Sequence, residues 1–288
     1  MTAPPPAPIA GRKKLLLVDG YALIYRAYHA LPPGMLTRAG EPTNAVFGFA
    51  QMLMDVLRRD QPDYVVMALD KGPSFRSDIS ADYKATRPSM PPDLRQQIAR
   101  CREVSEALGM TIYELEGYEA DDVIGTLAAQ GEQAGLDVLV VTGDMDELQL
   151  VSDQTHVVTP TGRNRFNETI EYDPAAVQTR YGFGPELIPD YKALVGDKSD
   201  NIPNVPGIGE KTATALLQQY GTLEAVLDHL DEIKPPRAQA ALRAHVDQAR
   251  QSKRLATIIC DAPITLDMAA IAVAGLDRLD AAAKPAKP

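Results

Sequence analysis

Cysteine is scarce in this chain, with Cys101 and Cys260 the only two in 288 residues. They share no metal-ligand spacing, so neither a disulfide framework nor a thiolate site is expected, and a reducing cytoplasm is the natural compartment. Long apolar runs are missing too. No stretch approaches the roughly 20 residues a bilayer span needs. The first ten residues, with Pro4-Pro5-Pro6, lack the charged-then-apolar layout of a signal peptide. An excess of positive charge is also lacking: the net charge is −10. That sum argues against a polyanionic partner only if the acids are spread evenly, because location matters more than total. What remains is an ordinary globule, 45% hydrophobic and 24% charged, long enough for one large domain or two small ones.

The acids are not spread evenly. Gly117-Tyr118-Glu119-Ala120-Asp121-Asp122-Val123-Ile124-Gly125 puts three carboxylates within four positions at the start of an apolar-periodic helix. Acids favour the positive end of a helix dipole, which is the ordinary reading for one or two of them. Three adjacent acids repel one another beyond what a dipole offsets, and a divalent cation resolves the conflict.

Along the chain, Lys14 to Val18 and Tyr64 to Leu69 are short continuous apolar runs that end in Asp19 and Asp70. Such runs read as buried strands of a parallel sheet. Thr111-Ile112-Tyr113 and Asp137 to Val141 read as further strands, the latter leading into Asp144 and Asp146. Helical patterns lie between them at Ala22–Leu31, Asn44–Arg59 and Asp93–Leu108. The alternation predicts an α/β fold, a mostly parallel central sheet with helices on both faces. Sites in such sheets open beyond the carboxyl ends of the strands, where Asp19, Asp70 and Asp144 all fall. From Pro174 the pattern turns helical, at Pro174–Tyr181, Pro185–Val195, Thr212–Tyr220, Thr222–Leu230 and Arg237–Leu255. The expected organisation is therefore a tail over 1–12, an α/β domain over 13–173, a helical subdomain over 174–262 and a tail or linker over 263–288.

Nine acids are candidates for one crevice: Asp19, Asp70, Glu119, Asp121, Asp122, Asp144, Asp146, Asp197 and Asp200. They cannot share a cleft as free anions. An all-oxygen set without convergent His or Cys points to Mg²⁺ or Mn²⁺ rather than Zn²⁺. Their number suggests two ions, about 4 Å apart, the arrangement used for in-line attack on a phosphodiester. Setting those nine aside leaves 30 acids against 29 basic residues, a balanced surface that does not exclude DNA. Pro206-Gly207-Ile208-Gly209-Glu210-Lys211-Thr212 is the second signal. A Gly-x-Gly turn opening a helix exposes backbone N–H groups to an anion, and Lys211 adds charge. Gly207, Gly209, Lys211 and Thr212 thus read as a helix-hairpin-helix-like grip on a DNA backbone. Phe75 to Pro92 interleaves aromatic and basic residues with little core pattern. Alone it reads as a solvated loop, but it also suits frayed nucleic acid.

The pieces LLLVDGYALIYRAYHA, GEPTNAVFGF, PSFR, YKATRP, GYEADDVIGTLA, VVTGDMDELQLV, GDKSDNIPNVPGIGEKTA and LATI carry a family likeness from about residue 14 to 260. The chain closely resembles the 5′→3′ exonuclease domain of bacterial DNA polymerase I, in the flap endonuclease superfamily. The resemblance implies two metal ions on the nine acids and a helical arch at about 71–92. It puts Lys84 and Arg87 at the family's catalytic basic positions, Tyr83 where an aromatic meets the nucleotide, and Arg76 at a further arch contact. It also implies K⁺ held by the carbonyls of Leu194, Val195, Pro203, Val205 and Ile208. One departure is that Asp70 runs directly into Lys71-Gly72-Pro73, one residue shorter than the family's usual approach to the arch.

The expected activity is a structure-specific 5′→3′ exonuclease or 5′-flap endonuclease of replication and repair, monomeric, nucleoid-associated in a bacterial cytoplasm. The Ala/Lys/Pro end suggests a covalently linked polymerase beyond residue 288. Two rivals fit less well. Asp144-Met145-Asp146 resembles the Asp-x-Asp of aspartyl-phosphate phosphatases, which need Thr or Val two places later, where Leu148 stands. A non-catalytic DNA-binding module has no use for nine convergent acids.

Overall fold

The structure, a computed structural model, describes residues 11–161 and 168–273. Most of the expected N-terminal tail, and residues 274–288 of the expected linker, lie outside the described residues.

Six strands form one sheet: β1 (Lys14–Asp19), β2 (Tyr64–Ala68), β3 (Thr111–Tyr113), β4 (Asp137–Val141), β5 (Thr155–Pro160) and β6 (Thr169–Tyr172). Their order is β3-β2-β1-β4-β5-β6. All neighbours run parallel except β5 and β6. The α/β expectation holds, and the sheet extends past β4 through two strands the apolar pattern does not announce. Leu17 lies between Val66 and Val140 in register, so β1 is central. Side chains alternate across it: Leu15 and Leu17 enter one core, Leu16 and Val18 the other. All four are fully buried, each worth about 1.5–3 kcal/mol of transfer free energy. A strand buried on both faces must be apolar throughout, hence the unbroken Leu-Leu-Leu-Val.

In chain order the helices are α1 (Gly20–Ala30), α2 (Asn44–Asp60), α3 (Arg76–Ile79), α4 (Pro92–Ala107), α5 (Ala120–Gln133), α6 (Pro174–Tyr181), α7 (Ile188–Val195), α8 (Glu210–Tyr220), α9 (Leu223–Asp228), α10 (Pro236–Ala244) and α11 (Val246–Ala256). Residues of α1, α2 and α4 fill the core on one sheet face. Those of α5 fill the other, continuous with the helical part beyond residue 174. No helix among the described residues is long and apolar enough to cross a membrane.

Three expectations need correction. The segment read as a helical arch holds only the four-residue α3 followed by turns. Pro73, Pro88 and Pro91 limit helix there, and the backbone is instead pinned to residues 200–201, with Lys84 N–H donating to the Asp200 carbonyl at 2.9 Å. The helix read over Arg237–Leu255 is two helices, broken where His245 leaves helical geometry at φ −127 and ψ 27. The break frees α11 to pack along α7. Residues 263–273, expected to begin a tail, are strapped onto the sheet domain. Ile271 is fully buried, its carbonyl accepts Val65 N–H, and Ala272 bridges Tyr64.

Candidate active site

β1 and β4 are the switch point of this sheet, since the chain crosses one way from β1 to β2 and the other way to β4. The crevice beyond their carboxyl ends is the expected location of a site. Asp19 ends β1 and caps α1: Oδ1 accepts Ala22 N–H at 3.0 Å and Oδ2 accepts the Thr142 hydroxyl at 2.9 Å. Gly20 follows because a Cβ there would come within 2.5 Å of the Leu69 side chain. Asp70, after β2, accepts Ala120 N–H at 2.7 Å and so ties the strand end to the N-terminus of α5. After β4, Asp144 Oδ1 accepts Asp146 N–H at 2.9 Å.

Asp19 and Asp121 converge with a residue the sequence reading passed over, Glu147, in the 3₁₀ turn Asp146–Leu150. One carboxylate oxygen from each lies within 4.8 Å of the other two. Burial, and then Asp144 and Asp70, push Asp19 up to about 7. Burial and the neighbouring Asp144 and Asp19 likewise raise Asp121, and burial with Asp19 and Asp121 raises Glu147. Asp70 is raised by burial against the pull of Ala120 N–H and Lys84. These groups are too crowded and too dry to be comfortable anions.

The other acids bring their own cations. Glu119 accepts Ser74 Oγ at 2.8 Å, Lys84 Nζ at 2.8 Å and the Tyr83 hydroxyl at 3.1 Å. Asp200 accepts the same Tyr83 hydroxyl at 3.0 Å and also Arg87. Burial disfavours the Lys84 ammonium, but Glu119 and Asp200 outweigh it and hold its pKa above the usual lysine value. Lys192, a second group that sequence reasoning missed, bridges Asp146 and Asp197. Burial acts against Asp197, yet Lys192 and Ser199 bring it down to about 2. In Asp146 burial and Asp144 win over Lys192, leaving it at about 7. The one cation in the otherwise largely apolar Ile188-to-Val195 run was the available signal for Lys192.

Two candidates are placed otherwise than expected. Asp122 has no exposure, and its oxygens take two Arg76 N–H groups at 2.6 and 2.8 Å, Glu119 N–H at 3.0 Å and Ile259 N–H at 2.8 Å. Its acceptor capacity is spent, so the structure does not bring it to the open acid cluster. Arg76 is correspondingly no exposed arch contact. It is buried and also donates to the Leu255 and Thr257 carbonyls at 2.9 and 2.7 Å. Tyr83 likewise packs its ring with Ile202, Leu255 and Ala256 rather than standing free.

Across from the sheet, Gly207 turns the chain at φ +85 and Gly209 caps α8. Val205 and Ile208 are buried beneath the turn. Lys211 is exposed on α8, and Thr212 is half-buried behind it. Of the five carbonyls read as a K⁺ site, Leu194 accepts Val205 N–H, Val205 accepts Ile208 N–H and Pro203 accepts the Ser252 hydroxyl. The Leu194 and Pro203 carbonyls keep a second lone pair, while that of Val205 also accepts the Asn204 side-chain amide at 3.4 Å.

Residues 14–182 match the family described as 5'-3' exonuclease, N-terminal resolvase-like domain. Residues 183–279 match 5'-3' exonuclease, C-terminal SAM fold. The chain is 47% identical over 268 residues to DNA polymerase I of Bacillus caldotenax, covering 93% of this chain and 30% of that protein. It is 46% identical over 266 residues to DNA polymerase I of Chloroflexus aurantiacus, covering 92% and 28%. It therefore spans about 30% of the length of the curated relatives it matches. Among solved structures, a bacteriophage T5 flap endonuclease in a pseudo-enzyme–product complex with DNA and metal ions shares the fold, with a TM-score of 0.69 and 21% identity over 85% of this chain and 89% of that one. The catalytic core of Rad2 in complex with DNA substrate matches at a TM-score of 0.58 and 15% identity, over 94% and 86%. A resolvase-like α/β half and a SAM-fold helical half meeting at an acid-lined crevice make this chain a member of the 5′-3′ exonuclease family.

Proposed function

We propose that this chain hydrolyses phosphodiester bonds in DNA from the 5′ side, as a structure-specific 5′→3′ exonuclease and 5′-flap endonuclease that requires two Mg²⁺ or Mn²⁺ ions. The observation that carries the reading is the convergence of Asp19, Asp121 and Glu147 at the sheet's switch point, with Lys84 reaching over Glu119 from the facing segment.

The donor set fits hard divalent cations, being all carboxylate and largely buried, with Asp19 and Asp121 raised by burial and by their neighbouring acids. Asp19, Asp70, Asp121 and Asp144 would hold one ion, and Asp146, Asp197, Asp200 and Glu119 the other. When bound, the ions lower the pKa of an attacking water and neutralise charge on the phosphoryl group. Lys84 and Arg87 bind and orient the scissile phosphate. Lys192 keeps Asp146 and Asp197 in place before substrate arrives. Val205 and Ile208 fix the Gly207 turn, whose N–H groups with Lys211 and Thr212 grip the duplex backbone without reading sequence. The carbonyls of Leu194, Val195, Pro203, Val205 and Ile208 would hold K⁺ beneath that turn.

The chain works as a monomer in a bacterial cytoplasm, its α/β part over 13–173 carrying the chemistry and its helical part over 174–262 the duplex grip. The length of its relatives supports a linked polymerase as partner. A 5′-flap oligonucleotide with Mg²⁺ tests the reading: cleavage should occur and stop in excess EDTA. Cleavage that persists in EDTA sinks it.

A further inference from the structure

We propose that Glu147 is an additional, inner ligand of the divalent cation held by Asp19 and Asp121, reaching it from beneath the crevice. The inference rests on the metal-dependent reading above and extends its ligand set to a residue outside the nine acids.

Glu147 has no solvent exposure, and neither of its carboxylate oxygens has a hydrogen-bond partner among the described residues. A buried carboxyl left this way is costly, and native proteins rarely tolerate one without a counterpart. The donors near it are already spent. The single Thr142 hydroxyl proton goes to Asp19 Oδ2, and Asp146 N–H goes to Asp144 Oδ1. Leu148 N–H goes to the Met145 carbonyl.

The geometry fits a cation instead. Oxygens bound to one hard ion sit about 2.0–2.6 Å from it, so any two of them are at most about 4–5 Å apart. The Asp19, Asp121 and Glu147 oxygens lie within 4.8 Å of one another. Asp19 and Asp121 come from the end of β1 and the first turn of α5, and Glu147 from the 3₁₀ turn after β4. Three elements thus offer one oxygen each within the span that a single ion bridges. Leu148, next in the chain and fully buried, anchors the same turn.

The test is Mn²⁺ binding without DNA, followed by electron paramagnetic resonance and calorimetry, on the full chain and on Glu147→Gln and Glu147→Leu. The wild type should bind Mn²⁺, and both variants should lose about tenfold or more in affinity at one site. In EDTA both variants should melt at or above the wild-type temperature, yet gain less from added Mn²⁺. If the affinities stay within twofold of wild type, Glu147 is no ligand and the inference falls. Wild type that binds no Mn²⁺ would instead bring down the metal-dependent reading as a whole. Should neither variant fold, Glu147→Asp keeps the charge but withdraws the oxygen by one methylene. It should show the same loss of affinity, and unchanged affinity there overturns the inference equally.

Discussion

The two sides of the crevice are built from the same carboxylates but solved differently. On the side of the helical half, Glu119, Asp200, Asp197 and Asp146 meet Lys84, Arg87 and Lys192. Deeper in, Asp122 is matched by Arg76. At the strand ends, Asp19, Asp121 and Glu147 stand close together, and no hydrogen bond from a basic side chain reaches them among the described residues. The difference separates acids already matched by basic side chains, whose ion must share them with those partners, from acids that have no such counterpart. Paired acids fix the position of the arch segment and of α7. The crowded ones carry a standing electrostatic cost that an external cation relieves.

The comparison can be broken most forcefully at Arg76. Arg76→Ala leaves Asp122 as a buried, uncompensated charge, and such losses cost about 3–5 kcal/mol. A large drop in denaturation midpoint is expected, and substantial recovery in Arg76→Met/Asp122→Leu, which removes both charges. Denaturant titration of the single and double variants decides it, and an unaffected Arg76→Ala would mean that this pair is no anchor.

Next in size is the loss expected at Lys84. Removing a group that stabilises charge growing in the transition state typically costs 10²–10³ in rate, about 3–4 kcal/mol. Single-turnover cleavage by Lys84→Ala at saturation should fall by that factor, while flap binding in Ca²⁺ weakens only modestly. A near wild-type rate would make Lys84 a tether. Asp121→Asn should also cut poorly, yet hold DNA at least as tightly as wild type, because it removes repulsion.

Acidity sharpens the contrast, because the unpaired Asp19 and the Lys192-paired Asp197 titrate with opposite sign. Asp19 stands at about 7 when folded and 3.8 when unfolded, so the native state holds the extra proton. Its stability contribution is greatest below about pH 4 and is lost as pH rises towards 7. Asp146, also at about 7, acts in the same direction. Asp197, at about 2 when folded, contributes above 3.8 and loses that contribution as pH falls towards 2. In EDTA the melting temperature should therefore decline by several degrees between pH 5 and 8, and Mn²⁺ should flatten the decline. A melting temperature that climbs over that range without metal contradicts the crowding.

The smallest effect is expected away from the crevice. Lys211→Ala should weaken flap binding alike for all sequences and reduce the salt slope by about one charge unit. Fluorescence anisotropy at several salt concentrations measures it, and a sequence-selective loss would point to base contacts.

Much of this was legible in the residues. The run Leu15-Leu16-Leu17-Val18 can only be a strand buried on both faces, and it placed Asp19 at its carboxyl end. β5 and β6 were not legible, because Thr155 to Pro160 contains only two consecutive aliphatics and Thr169 to Tyr172 is mostly exposed or half-buried. Asp122 looked like its neighbours because its fate depends on Arg76, 46 positions away, and on Ile259, 137 positions away. Glu147 was hidden for the opposite reason. It sits beside Asp146 at the head of a short turn, where acids are commonplace, and only its full burial sets it apart.

Arg76 has a bearing on how the molecule is made. Its guanidinium needs the carbonyls of Leu255 and Thr257, and Asp122 needs the N–H of Ile259, all close to the end of the described chain. A nascent polypeptide that has exposed every strand-end acid still lacks the groups that hold the arch segment down. The crevice is thus completed only after residue 259 has been synthesised, and a chain stopped between Asp200 and Leu255 carries all nine acids without the groups that assemble them.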